Sequence, residues 1–299
     1  MARALWKTPD KNVLGLFEQH APHIIALYAG MLGELEKHEL PHPDATPPAE
    51  CTSFSASPDI TLDGVPISGQ TKDTDIDSIP RYIVLRMRIS DAPTILVLAY
   101  PWEVLGYGMW ATGMTVFRNS LYSSAGAQDG LDMHQWALLA LAQHSVHNAA
   151  ELALEHGIRD CGNVLLSDGS GASVNVEFNC GGVNIIEAKD GISTHANHPV
   201  GPDTSVHEDY PNAAERKNSR FRAEHLRELI ETESPRFTAQ KAMSCLASHD
   251  EYPLGICRHI ICDEPTDFTT AGVVAEPTKG LLHVVRGNPC CNWPVSYCL

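Results

Sequence analysis

Glu50-Cys51-Thr52-Ser53-Phe54, followed a short interval later by Gly69-Gln70-Thr71-Lys72-Asp73, is the stretch on which the fold of this chain turns. A cysteine with two hydroxyl residues behind it, and then a Gly-Gln pair leading to Asp, reads as a nucleophile with its supports. If the bond before Cys51 is cut, that residue gains an α-amine beside its thiol. A free α-amine titrates near ~7.7–8.0 and a free thiol near ~8.5. One residue then holds both a base and a nucleophile that exchange protons near neutral pH, with the thiolate as the attacking species.

The residues on either side suit that reading. Upstream, Pro41, Pro43, Pro47 and Pro48 rule out regular structure over 38–50 and make it an extended linker. Before the linker, Leu14, Phe17, Ile24, Leu27, Tyr28, Met31 and Leu35 recur at helical spacing, which predicts an amphipathic helix over 13–37, interrupted near Pro22. The chain therefore divides into 1–50, a helix and linker that autocleavage would release, and 51–299, the catalytic domain. Downstream, strands are expected at 81–90, 94–100 and 113–120, then at 163–167, 173–178, 183–187 and 192–196, and again at 255–262, 271–275 and 281–286. A single long helix is predicted over 132–156, closed by Gly157. Two more follow over 213–232 and from Ser234-Pro235 to about 247. Such blocks predict an α+β fold with helices layered on sheets.

Composition narrows the function. The 299 residues hold 37 acidic against 21 basic side chains, a net charge of −16. That field repels nucleic-acid phosphates and anionic membranes, so neither is an expected partner. An anionic substrate would need a local basic patch. No apolar run approaches a membrane span, and the start carries no apolar signal core. Nine cysteines then read as reduced thiols of an intracellular, cytoplasmic protein.

Five strings, in order, carry a resemblance. Cys51-Thr52-Ser53 and Gly69-Gln70-Thr71-Lys72-Asp73 come first, then the glycine-rich string from Gly106 to Met114. His195-Ala196-Asn197-His198 and Asn218-Ser219-Arg220-Phe221-Arg222 complete the set. Together they resemble the acyl-coenzyme A:6-aminopenicillanic acid acyltransferase (isopenicillin N acyltransferase-like) family of N-terminal-nucleophile (Ntn) enzymes. The resemblance implies a four-layer αββα sandwich and a self-cleaving precursor, cut here at Glu50-Cys51, whose fragments stay associated. It also implies acyl transfer through a Cys51 thioester to an amine, an acyl-coenzyme A thioester as one class of donor substrate, and a place in secondary metabolism. Some members are peroxisomal, which leaves that compartment open. Two alternatives stand beside transfer: an amidohydrolase using the same acyl-enzyme, and an uncleaved homologue that only binds a small molecule. Departures favour the latter, since Thr71 and Trp110 stand where the family commonly has Asn, and Lys72 where it has an aromatic residue. No Arg occurs in Phe268-Thr269-Thr270-Ala271, near the strand where one family member carries a Ser-Arg pair, which counts against penicillin-like substrates.

The candidate catalytic residues are Cys51, Asp73, Asn197 and Ser53. Each has a plainer reading: a small buried hydrophobe for Cys51, a turn aspartate for Asp73, a turn amide for Asn197, a strand hydroxyl for Ser53. By the resemblance, Asp73 orients the nucleophile, and Asn197 donates an amide N–H to the developing oxyanion, worth about 2.7–4 kcal/mol. No cofactor and no metal are expected. The i, i+3 pairs His195/His198 and His144/His147 lack a third and fourth ligand, and neither a Cys-x-x-Cys nor a His-Glu-x-x-His string occurs.

Overall fold

The computed structural model describes residues 11–27, 50–101, 103, 105–260 and 267–299. Two antiparallel sheets dominate it. In chain order, β1 is Glu50–Ala56, β2 Ile67–Thr74, β3 Ile83–Met87, β4 Ile95–Ala99, β5 Tyr107–Trp110 and β6 Thr115–Asn119. After the short β7 (Leu131–Asp132) come α2 (Met133–Leu141), α3 (Val146–His156) and the short β8 (Ile158–Arg159). Then follow β9 (Gly162–Ser167), β10 (Ser173–Asn179), β11 (Gly182–Glu187), β12 (Ile192–His195), α4 (Ala213–Glu233) and α5 (Ala239–Leu246). The chain ends with β13 (Phe268–Glu276), β14 (Leu281–Arg286) and β15 (Val295–Cys298); α1 (Lys11–His20) precedes them all. One sheet runs β12-β1-β2-β13-β14-β15, the other β11-β10-β9-β6-β5-β4-β3.

Three apolar layers set the order of packing. Phe17, Ala21 and Ile24 join Trp136 and Leu139 of α2, and Ala149 of α3, against Ile95, Val97, Val116 and Val176 on the outer face of the seven-stranded sheet. Leu96, Leu98, Met109 and Phe117 meet Val273, Leu282 and Val284 between the sheets. Phe54, Ile67, Ile192 and Val274 pack under Leu226 and Ile230 of α4 and Leu246 of α5. The result is the expected αββα stack. β4 shows the logic in one element. Its run Ile-Leu-Val-Leu-Ala is buried on both faces, so its side chains serve two cores alternately.

Several predicted boundaries shift. The helix expected over 132–156 is two: α2 stops at its C-cap Ala142, and Ser145 starts α3 by accepting from the Asn148 N–H at 3.2 Å. The second late helix begins at Ala239 with Thr238 as its cap, because Ser234-Pro235 closes α4 instead of opening α5. Residues 255–260 form turns and irregular chain, not a strand. Most of the linker and the second half of the helix predicted over 13–37 lie outside the described residues. Among the described residues, no helix is long and apolar enough to cross a membrane.

Candidate active site

Strand alternation decides what each residue of β1 can reach. Phe54 and Ala56 belong to the core under α4 and α5. Thr52 therefore faces the same way, and it accepts from Arg222 Nη1 of α4 at 2.7 Å. Cys51, Ser53 and Ser55 point the other way, into the layer between the sheets. The contacts agree: Ser53 Oγ donates to Asn119 Oδ1 of β6 at 2.8 Å, and Ser68 Oγ donates to Ser55 Oγ at 3.0 Å while lying 2.7 Å from Ser167 Oγ of β9. The layer between the sheets is thus apolar under β13 and β14 and polar under β1. Cys51 lies at the head of that polar half, fully buried.

The Gly-Gln pair holds this arrangement. A Cβ on Gly69 would fall 2.5 Å from the Val273 carbonyl oxygen and 2.7 Å from the Phe54 ring, so only glycine lets β13 and Phe54 close on β2. Gln70 then spans the two sheets. Its Nε2 donates to the Arg118 carbonyl at 2.7 Å and its Oε1 accepts the Arg118 N–H at 2.9 Å.

In the β1–β2 ladder, Glu50 pairs with Asp73 and Cys51 with Lys72. Lys72 thus shares the face of Cys51; its Nζ lies 5.2 Å from the centre of the Tyr107 ring, which Arg118 also covers at 4.6 Å. Burial pushes the Cys51 thiol up, and Lys72 opposes that push. Burial likewise disfavours the Lys72 ammonium, but Cys51, Tyr107 and Tyr82 outweigh it and keep the cation charged.

Glu50 and Asp73 lie on the opposite face, under α4. The Glu50 carboxylate is clamped by Arg222 Nη2 at 2.6 Å and by Arg258 Nη1. Burial would raise its pKa; the two guanidinium groups overcome burial and hold it below the usual carboxylate range. Asp73 is treated differently. Burial raises its pKa to about 7 against the pull of Arg222 and Arg258, so near neutrality it can both hold and release a proton. Its Oδ1 accepts from Thr269 Oγ1 at 2.7 Å, and Thr269 Oγ1 in turn accepts the Arg258 N–H at 2.8 Å. Asp73 Oδ2 is buried without a hydrogen-bond partner among the described residues. A bulge makes the Thr269 contact: β13 pairs Thr269 with Asp73 and Ala271 with Lys72, skipping Thr270, which turns Thr269 to the helix face.

Asn197 lies beside Cys51, with its carboxamide oxygen turned towards the strand. Oδ1 accepts the Cys51 N–H at 3.1 Å and Arg222 Nη2 at 3.0 Å, while Nδ2 donates to the Ser120 carbonyl at 2.8 Å. An arginine can only donate, which fixes the oxygen on that side. Asn197 thus accepts from the Cys51 backbone, and its N–H, expected to serve an oxyanion, is engaged by Ser120. The histidines around it brace the loop. His195 Nε2 lies 2.6 Å from Glu177 Oε1, and Glu177 also accepts from Val200 N, Gly201 N and Thr204 Oγ1. Burial drives His198 down to about 3, so it is neutral beside Ser219 Oγ.

Sequence reading missed Arg222, Arg258 and Glu50 as site residues. Arg222 was within reach: it closes the string from Asn218, and its Nε returns to Asn218 Oδ1 at 2.9 Å one helical turn back. Arg258 was not. It lies ten residues before the strand on which an arginine was sought and arrives from a loop. A further cluster, also missed, brings His249, Cys257, His259 and Cys290 together beyond Arg258.

Residues 62–289 match the family described as acyl-coenzyme A:6-aminopenicillanic acid acyl-transferase. The chain belongs to that family. The match begins after Cys51 and so does not include that residue. No curated protein matches the chain. Among solved structures, a variant of conjugated bile acid hydrolase from Clostridium perfringens is similar over 83% of this chain and 97% of its own, with a TM-score of 0.56 and 12% identity. The Caenorhabditis elegans ortholog of N-acylethanolamine-hydrolyzing acid amidase is similar over 76% and 93%, with a TM-score of 0.53 and 12% identity. At such identities the likeness concerns the fold, which is that of Ntn hydrolases.

Proposed function

We propose that this family member is a cysteine Ntn enzyme that cuts itself at Glu50-Cys51 and then transfers acyl groups through a Cys51 thioester to an amine. The observation that carries the reading is the position of Cys51. It heads a central strand, faces the layer between the sheets, has Lys72 beside it, and has Asn197 Oδ1 on its backbone nitrogen.

In the precursor, the thiol proton passes by way of water to Asp73, whose carboxyl lies on the other face of the β1–β2 ladder. The sulfur adds to the Glu50 carbonyl carbon, the carbon–nitrogen bond breaks, and the Cys51 nitrogen leaves as an amine after taking a proton. Water then hydrolyses the thioester, giving the Glu50 carboxylate and restoring the thiol. The Glu50 side chain, pinned by two arginines, fixes the carbonyl that is attacked. In the mature enzyme the new amine keeps Asn197 Oδ1 as its acceptor and takes over as base. Lys72, beside an Arg118 that is paired with Glu103 at 3.3 Å, supplies the local positive charge that an anionic donor, such as an acyl-coenzyme A thioester, requires in a chain of net charge −16. The burial of Phe17, Ala21 and Ile24 in the helix layer keeps the released segment docked.

Intact mass of freshly purified protein tests the proposal. The expected outcome is two co-eluting species, 1–50 and 51–299, with Cys51→Ala remaining a single uncut chain that turns nothing over. Turnover surviving in Cys51→Ala would remove the mechanism. Product analysis with and without added amine separates transfer from hydrolysis, the second reading with the same acyl-enzyme. The uncut binding homologue is favoured by Thr71, Lys72 and Trp110, the departures from the family strings. A chain that stays whole on long incubation would select it.

A further inference from the structure

Four side chains from three separate stretches converge behind the Arg258 loop. Cys257 Sγ lies 3.7 Å from His259 Nε2, Cys290 Sγ lies 3.5 Å from the same atom, and His249 Nε2 lies 3.1 Å from it. All four ligand atoms fall within 4.8 Å of one another. We infer that His249, Cys257, His259 and Cys290 form a structural zinc site of the Cys2His2 type.

The three distances to His259 Nε2 are near those between the corners of a tetrahedral site. With Zn–S near ~2.3 Å and Zn–N near ~2.0–2.1 Å, ligand atoms at tetrahedral corners stand roughly 3.3–3.8 Å apart. Hydrogen bonding does not account for the same arrangement. One imidazole nitrogen either donates a single proton or accepts; it cannot satisfy another imidazole and two sulfurs at once. A divalent cation, binding neutral imidazoles and thiolates, satisfies all four. The surroundings suit a metal as well. Asn288, itself buried, donates from Nδ2 to Cys257 Sγ at 3.3 Å, the kind of outer hydrogen bond that steadies a thiolate ligand. The Tyr252 and Phe268 rings pack against His259, with centroids 5.4 and 6.2 Å from it. Two sulfurs and two imidazole nitrogens in a tetrahedron select zinc over magnesium or calcium, and four protein ligands leave no open position for catalysis.

The site acts on the nucleophile through Arg258, which lies between two of its ligands in sequence. The Arg258 side chain reaches Glu50, its N–H bonds Thr269 Oγ1, and its carbonyl accepts Asn288 Nδ2 at 2.7 Å. The metal ties the 248–260 loop to the turn after β14 and so holds Arg258 in place. The proposal departs from the expectation of no metal, which rests only on local His and Cys spacings.

The test is metal content of the full-length chain, purified without a chelator or a histidine tag, together with cobalt(II) chloride titration of the chelator-stripped protein. One zinc per chain and a thiolate-to-cobalt charge-transfer band with tetrahedral d–d absorption are expected. His249→Ala and Cys290→Ser, at the outer side of the cluster, should each weaken cobalt binding at least tenfold and leave the circular dichroism spectrum unchanged. Cys291→Ser, one residue outside the cluster, should bind normally. No retained zinc and no cobalt band would overturn the proposal. So would a Cys257–Cys290 disulfide in the non-reduced mass, or an equal loss in Cys291→Ser. None of these readouts depends on whether Glu50-Cys51 is cut.

Discussion

Cys51 and Cys257 are both buried cysteines on the two sides of Arg258, and their surroundings differ in kind. Around Cys51 the partners are fixed charges on regular strands and one helix: Lys72 on β2, Arg222 on α4, the acids Glu50 and Asp73. Around Cys257 they are soft metal ligands on loops. A buried thiol set among charges, with a protonatable acid across the strand pair, is equipped to react; a buried thiol among three other ligands is equipped to be held. On the proposed function and the inferred metal site, one arginine thus stands between a reactive cysteine and a structural one.

The sharpest break in that comparison is Asp73→Asn. Processing should slow by about 10²–10⁴-fold, the range for losing a positioned base. In the parent chain the rate should climb as pH rises through about 7, because Asp73 accepts a proton only once ionised. Stability should move the opposite way. The unfolded carboxyl ionises near its ordinary value, the folded one only near 7, so between those values the native state binds more protons and loses stability as pH rises. Asp73→Asn, with no charge to bury, should escape that loss. Gel-resolved cleavage rates and thermal melts across pH 4–8 give both readouts. A rate that ignores pH near 7 in the parent chain would assign the proton transfer to another group.

Lys72→Met comes next. Removing the cation that opposes burial should raise the Cys51 thiol further, and each pKa unit is a tenfold loss of thiolate. Alkylation of Cys51 in a cleaved sample should slow about tenfold at pH 8. Unchanged alkylation would mean that Lys72 serves the substrate alone.

These two residues also mark how far the sequence carried. Cys51, Asp73 and Lys72 could be read because their relation is a strand pair: the register that sets Glu50 opposite Asp73 connects two short motifs along one hairpin-like path. Asn197 could be located, but not its orientation, because the turn of a carboxamide depends on Arg222 and Ser120, more than twenty and seventy residues away in sequence. The αββα stack followed from alternating blocks only through the resemblance; β4, apolar throughout, told nothing of which core lay on which side. Arg258 and the zinc cluster were illegible, since loops without regular periodicity bring their ligands together from positions 249, 257, 259 and 290, and no spacing template describes that set. The helix break at 142–145 was signalled by Ser145, whose capping role is indistinguishable from an ordinary mid-helix serine until the chain is seen to turn.

Loss of the metal should affect the reactive cysteine more mildly than either substitution beside it. Stripping zinc, or the His249→Ala change, frees the loop that carries Arg258 and leaves Arg222 alone on Glu50. Processing should slow about tenfold and recover in the parent chain when zinc chloride is restored, as read by the appearance of the 51–299 species. Processing that is indifferent to zinc in a chain shown to bind it would separate the two cysteine regions, leaving Arg258 fixed by Thr269 and Asn288 without help.

Ser53→Ala is expected to do least, and that makes it the finest discriminator. Ser53 lies on the Cys51 face of β1, two residues on, yet its hydroxyl is spent on Asn119 Oδ1 of the other sheet. That oxygen also accepts Asn163 Nδ2 at 3.1 Å, so the substitution leaves it with a partner. The cost should be about 1 kcal/mol of stability, the usual worth of one buried hydrogen bond. Cleavage should stay within about threefold, because a hydroxyl already engaged between the sheets adds nothing to proton transfer at Cys51. A loss beyond a hundredfold with an unchanged melting temperature would return Ser53 to the catalytic group. It would also mean that the polar half of the inter-sheet layer works in the reaction and does more than hold the strands apart.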